Sequence, residues 1–260
     1  MDRDESLAAV EETTRRWVEL LLTVEDKSRH AVGDWNIRDV AVHTSHVYSA
    51  LTQLIAGGES PIKDHRAIAQ TWARKAAEDP EQDLAAAAAR IEESMKDFIN
   101  LADSDSWTRE TPWHGGIRIP FYSFSSFLIS EASIHGHDVA KAEGRPWVIN
   151  RRHAALIVEG HWPVLPHFVN DDVARTIDAT FEVKVRSGSN VFVTVRNGTL
   201  ELGEQPPGRV DCTLSVDPVE YLLVGYGRKS QWGPIAMGKL VAYGRKPWLS
   251  LKMSKLFNSP

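Results

Sequence analysis

The sequence predicts a two-domain chain of mixed class: an antiparallel four-helix bundle followed by an α+β domain whose sheet carries packed helices. Three observations support this. Apolar residues in the first half recur at spacings of three, four and seven, the period of amphipathic helices. Beyond about residue 163 the pattern turns to strict alternation, as in Thr180-Phe-Glu-Val-Lys-Val-Arg186, the period of a half-buried strand. The length of 260 residues, with 42% hydrophobic and 25% charged, is enough for two cores and excludes a disordered or fibrous chain.

Taken in order, Leu7, Val10, Trp17, Leu20, Leu21 and Val24 share one face of a first helix. Asp34 is a candidate N-cap for a second, which Trp35 enters and which carries Val40, His43, Val47 and Leu51 towards a stop at Gly57-Gly58. Asp79-Pro80 opens a third, with Leu84, Ile91, Met95, Phe98 and Leu101 as its stripe. A loop rich in Trp, Pro and Gly then leads to a fourth helix over about 120–142 and a shorter fifth over 154–159. The domains are expected at 1–165 and 170–260, with the boundary in 163–175. In the second domain 180–186, 190–195, 212–216 and 238–244 read as strands, and Asn197-Gly198 as a hairpin turn. Asp217-Pro218 starts a helix, and 248–257 reads as a last amphipathic one.

Charge and cysteine usage narrow the function. Thirty basic against 35 acidic residues leave a net charge of −5, unlike a general nucleic-acid binder. A single cysteine, Cys212, allows neither an intrachain disulfide nor a thiolate metal cluster. The first residues lack the basic-then-apolar pattern of a secretory signal, and no apolar run approaches the ~20 residues of a membrane helix. A cytoplasmic protein with no integral membrane segment is expected.

The residues that suggest chemistry are Glu131 and His135, four apart on the fourth predicted helix and so on one face. A carboxylate and an imidazole so placed can reach one divalent ion, and His43 on the second helix can complete a three-ligand site inside a bundle. Two nitrogen donors and one oxygen suit Zn²⁺, with other divalent metals possible, and leave a fourth position open. A Glu and a His four apart are otherwise an ordinary surface pair.

Two blocks sharpen this. Trp35-Asn-Ile-Arg38-Asp39-Val-Ala-Val-His43 and Glu131-Ala-Ser-Ile-His135-Gly-His-Asp138 resemble, in order, the Trp-x-x-Arg-Asp-x-x-x-His and Glu-x-x-x-His-x-x-Asp stretches of the mycothiol-dependent maleylpyruvate isomerase family, whose fold is the DinB-like metal-binding bundle. The resemblance implies that His43, Glu131 and His135 are metal ligands and catalytic residues. It also implies mycothiol as thiol cofactor or co-substrate, acting on a small electrophile by isomerisation or S-transfer. The second half resembles the sterol-carrier-protein-2-like module, through Val210-Asp211-Cys-Thr-Leu-Ser-Val216 and Gly238-Lys-Leu-Val-Ala-Tyr-Gly244. This leaves a rival reading, a lipid or small-ligand binding protein with a structural metal.

Further candidates are weighed against plainer roles. Arg74 is the expected cation for an anionic substrate, the family having an arginine in this region; a solvated surface charge is the alternative. His46 and Trp113 are candidate pocket residues, or else packed ones. Asp138 can orient a ligand imidazole or form a helix-internal ion pair. Arg38-Asp39 reads as a structural pair, Cys212 as a small buried hydrophobe. After Glu220 there are seven basic residues and no acidic one, which fits an anionic ligand, an acidic partner surface, a lipid head group or a solvated face.

Overall fold

In the computed structural model, which describes residues 1–253 and 255–257, the chain divides into two units, Met1–Ile149 and a second that begins at Asn150. The first is built on helices α1 (Arg3–Leu22), α2 (Ile37–Ile55), α3 (Ile68–Glu78), α4 (Leu84–Leu101) and α5 (Tyr122–Ala142). Two short hairpins join them, β1 (His30–Val32) with β2 (Trp35–Asn36), and β3 (Glu110–Pro112) with β4 (Arg118–Pro120). Helix α1 packs on α4 and α5, and α2 packs on the same two, so the four close a ring around one core.

The start of α2 differs from expectation. Asn36, not Asp34, is the cap: it accepts from the Asp39 N–H at 2.9 Å while its own N–H donates to the Asp39 carboxylate at 3.2 Å. This reciprocal box satisfies two backbone donors at once. Trp35 cannot enter the helix because it pairs with Val32 across a turn in which Gly33 has φ 57°. Helix α3 fills a stretch for which the sequence predicted no element; its short inward stripe is Trp72 and Ala76. Its end is held by Arg38, buried, which donates to the carbonyls of Ala76 at 2.9 Å, Glu81 at 2.7 Å and Asp79, and lies 3.1 Å from Asp39. Arg38 and Asp39 are thus a structural pair. Asp83, rather than Asp79, caps α4.

A buried hydroxyl fixes the helices' register. Tyr48 on α2 donates to the Leu128 carbonyl of α5 at 2.8 Å and lies 2.8 Å from the Thr14 hydroxyl of α1. Burial pushes its ionisation well above the ordinary phenol range.

The second unit begins with α6 (Arg151–His161), capped by the Asn150 side chain. The sequence predicted this helix as the last of the bundle and put the boundary in 163–175; the units instead part at Ile149/Asn150. The reason is packing: α6 lies on α8 (Pro218–Gly225), and Ala155 closes on the turn at Gly188, where an added Cβ would meet its methyl at 3.0 Å. After the one-turn helix α7 (Asp171–Ala174) come β5 (Ala179–Val185), β6 (Asn190–Arg196), β7 (Thr199–Gly203), β8 (Cys212–Val216) and β9 (Leu240–Tyr243), in sheet order β7-β6-β5-β8-β9. Only β5 and β8 run parallel. Phe181, Val183, Val185, Val193 and Val195 supply the buried face. Asn197 and Gly198 both take positive φ, as a type I′ hairpin requires, and Asp217 with Pro218 starts α8 as expected. A short helix α9 (Trp232–Ala236) leads into β9. The helix expected over 248–257 is instead a 3₁₀ turn (Pro247–Leu249), then α10 (Ser250–Met253) and a bridge from Val169 to Phe257. Part of the expected span, residue 254, lies outside the described residues.

Replacing Tyr48 by Phe removes the shared hydroxyl and leaves a buried carbonyl and a threonine short of a partner. The expected cost is about 1–3 kcal/mol of stability, read by denaturant titration; an unchanged midpoint would mean that this hydroxyl does not hold the register.

Candidate metal centre

The cap on α2 places His43 two turns into that helix, on the side facing α5. There Glu131 and His135, one turn apart, project from the same face. His43 and His135 are buried and Glu131 is half-buried. His43 Nε2 lies 3.2 Å from Glu131 Oε2, and His135 Nε2 lies 3.5 Å from that same oxygen. One potential ligand atom of each residue is within 4.8 Å of the others. For a tetrahedral ion with bonds near 2.1 Å the ligand-to-ligand edge is about 3.4 Å. The two measured edges bracket that value, so these residues fit a small divalent cation.

The imidazoles are oriented by different means. His135 Nδ1 lies 3.2 Å from a carboxylate oxygen of buried Asp138, which fixes the ring and leaves Nε2 for the cluster. His43 Nδ1 has no hydrogen-bond partner among the described residues, and this ring is set by packing. Trp35 tilts against it with centroids 4.7 Å apart, and the His135 ring meets it edge-on at 5.1 Å. Burial pushes the His43 pKa down, against the pull of Glu131, so the ring is held neutral with a lone pair to give.

Aromatic rings extend from the cluster. Trp72 of α3 stands edge-on to His43 at 6.4 Å and to His114 at 5.8 Å. His114 lies 2.8 Å from the Ser60 hydroxyl, and burial pushes its pKa down to about 4. Trp113 packs beside His114 at 4.9 Å and stacks on Phe127 at 5.3 Å. Trp147 lies against Gly136, donating its indole N–H to the Ser133 carbonyl at 3.0 Å, with the Arg16 guanidinium 4.5 Å over its ring. A Cβ at Gly136 would sit 2.2 Å from the Trp147 ring.

The structure therefore brings His43, Glu131 and His135 together, with Asp138 behind them. Other candidates lie elsewhere. Arg74 is on the exposed face of α3, two residues from each inward residue, and pairs with Glu78 at 2.8 Å. His46 Nε2 lies 2.9 Å from Asp79, which Arg90 also approaches at 3.5 Å. Trp113 is buried, two rings removed from His43. Cys212 is buried in the second unit, and burial pushes its thiol pKa up. The walls formed by Trp35 and Trp72 had no role in the sequence reading. Trp35 stands eight positions before His43 in the first block, which was the available signal; Trp72 lies on the helix whose stripe was too short to read.

Replacing Gly136 by Ala forces Trp147 or α5 to move. The expected loss is about 1–3 kcal/mol of stability, read by denaturant titration; a variant as stable as the parent would mean that Trp147 does not brace α5.

The fold is similar to that of the crystal structure of the mycothiol-dependent maleylpyruvate isomerase, with a TM-score of 0.54 over 93% of both chains at 14% identity. A histidine-to-alanine mutant of that isomerase matches with the same values. A ubiquinone synthesis protein, UbiJ-SCP2, matches 38% of this chain and 94% of its own at 16% identity, with a TM-score of 0.29 that carries no assignment of the second unit. No curated protein sequence matches the chain. Residues 7–140, more than half of the sequence, match the family model described as the mycothiol maleylpyruvate isomerase N-terminal domain, and the chain belongs to that family.

Proposed function

We propose that the first unit is a zinc-dependent enzyme that uses an external low-molecular-weight thiol, mycothiol, for isomerisation of, or S-transfer to, a small conjugated electrophile. One observation carries this reading: two imidazole nitrogens and a carboxylate oxygen converge at a largely buried point between α2 and α5. Such a donor set, with a further position left for an exogenous ligand, is that of catalytic rather than structural zinc sites. Family membership supports mycothiol as the thiol. Zinc held there would keep a bound thiol as its thiolate, the nucleophilic form.

The chain's own residues do the rest. Burial keeps His43 neutral, and the Asp138 carboxylate, 3.2 Å from Nδ1 of His135, holds that ring with its Nε2 turned to the cluster. Trp35 and Trp72 pack their rings against His43 and supply the apolar side of the site. Cys212 does not supply the sulfur: it is buried in another unit and held as a thiol. A thiolate adding to the electron-poor double bond forms a C–S bond, and the π electrons move onto the conjugated carbonyl. Rotation about the resulting single bond and return of those electrons expels the thiolate and restores the double bond in trans form, with no net use of thiol. Where the substrate carries a leaving group instead, that group departs with its electron pair and the sulfur stays.

Elemental analysis is expected to give about one zinc per chain, lost in His135→Ala. Asp138→Ala is expected to keep the ligands but weaken zinc affinity by about 10- to 100-fold. Isomerisation of maleylpyruvate, or capture of a model electrophile, is expected only with mycothiol, to stop with a chelator and to return with zinc. Equal turnover by metal-free protein, or turnover without any thiol, would contradict the reading.

A further inference from the structure

The second unit carries a surface that the thiol chemistry does not use. Among the described residues, every exposed large apolar side chain of that unit falls between Trp232 and Leu251, around the sheet edge formed by β9. Trp232 and Met237 lie on the approach to β9, Val241 and Tyr243 on it, and Trp248 and Leu251 beyond it. The two tryptophans are 64% and 63% exposed, far from the buried state of Trp17 or Trp72. Apolar exposure concentrated in this way on β9 and the elements next to it marks an interaction surface rather than ordinary scatter.

Charge says what covers it. From Tyr221 onward the chain has basic residues and no acidic one. The carboxylates beside it are already committed: Glu182 to Lys184 at 3.4 Å, Asp217 to Arg151 at 2.6 Å, and two more to cations of the basic stretch itself. Glu220 binds Lys229 at 2.6 Å and Lys239 at 2.7 Å, and Asp211 binds Arg245 and, at 3.2 Å, Lys246. Four cations on two carboxylates leave an excess of positive charge even where pairs form, and Lys252 and Lys255 add to it. This stands within a chain of net charge −5, so the positive charge is concentrated locally. A second copy meeting this patch with its own would set like charges together. Exposed Trp and Tyr among Lys and Arg is instead the composition of a surface seated at the level of lipid head groups, with rings in the interface and cations on phosphates.

We propose that the edge around β9, with its exposed tryptophans and basic residues, docks the protein peripherally on an anionic phospholipid bilayer. The attachment is reversible: among the described residues no helix is long and apolar enough to cross a membrane. It is independent of the metal cluster and of the thiol reaction.

The test is co-sedimentation of the full chain with vesicles of phosphatidylcholine alone and of phosphatidylcholine with phosphatidylglycerol. Retention is expected only with the anionic vesicles, and is expected to fall as salt rises. Trp232→Ser combined with Trp248→Ser is expected to weaken retention by about tenfold or more. Lys252→Glu combined with Lys255→Glu, which leaves the apolar side chains in place, is expected to weaken it by at least about fivefold per site. Val148→Ser, at an exposed apolar residue of the first unit, is expected to bind as the parent does. No retention on anionic vesicles would overturn the proposal in favour of a protein partner. Equal retention on neutral vesicles, or retention indifferent to both pairs of substitutions, would also overturn it. So would a concentration-dependent dimer in sedimentation analysis that the tryptophan substitutions abolish, which would assign the patch to a second copy.

Discussion

A carboxylate oxygen between two buried imidazole nitrogens is the constraint to which the first unit is fitted. Charge in such a place is costly unless something answers it. Holding Glu131, His43 and His135 within reach demands that α2 and α5 keep their register to a fraction of a turn. The structure meets that demand close by. Tyr48 lies five residues after His43, and the carbonyl that it binds belongs to Leu128, three residues before Glu131. The same hydroxyl reaches Thr14, so α1 is locked to the pair that holds the cluster. The capping box at Asn36 and Asp39 sets where α2 begins, and Trp147 against Gly136 sets how α5 lies. Each of these contacts is remote from any reacting atom, yet each decides where a ligand atom stands.

Much of this was legible in the sequence, for reasons that differ by residue. Glu131 and His135 stand out because four residues make one helical turn, a rule that holds before any packing is known. His43 needed more: nothing local ties it to α5, and only its place in a block resembling a known family joined it to the other two. The start of α2 was read one turn element too early, because Asp34 is a good cap in isolation. The hairpin that pairs Trp35 with Val32 overrides that preference and moves the cap to Asn36. Helix α3 has only two inward residues, too few for a period to register. For the same reason Arg74 could not be assigned to a face, and it lies on the outer one. The boundary between units was displaced because α6 is amphipathic in the manner of a bundle helix; what it packs on is α8, whose sequence is far away.

The aromatic lining shows a limit of another kind. Trp35, Trp72 and His114 come from a hairpin, a short helix and a loop, and no periodicity connects them. Their common feature is spatial: Trp35 and Trp72 both border the His43 ring and His114 borders Trp72, while His43 Nε2 stays directed at Glu131. A lining of this kind lowers the local polarity and so strengthens the electrostatics of the cluster. In the second unit the four strands read from alternation and the Asn197-Gly198 turn are found, β7 after that turn was not read, and the exposure of Trp248 becomes visible only once the expected terminal helix resolves into shorter pieces.

The central claim is that His43, Glu131 and His135 hold a zinc ion whose remaining position accepts a thiol. X-ray absorption at the zinc edge tests it most directly, on zinc-loaded protein before and after addition of mycothiol. The expected result is coordination by nitrogen and oxygen alone at first, then one sulfur at about 2.3 Å when the thiol is present. A spectrum unchanged by mycothiol, or one that shows sulfur in its absence, would contradict the account.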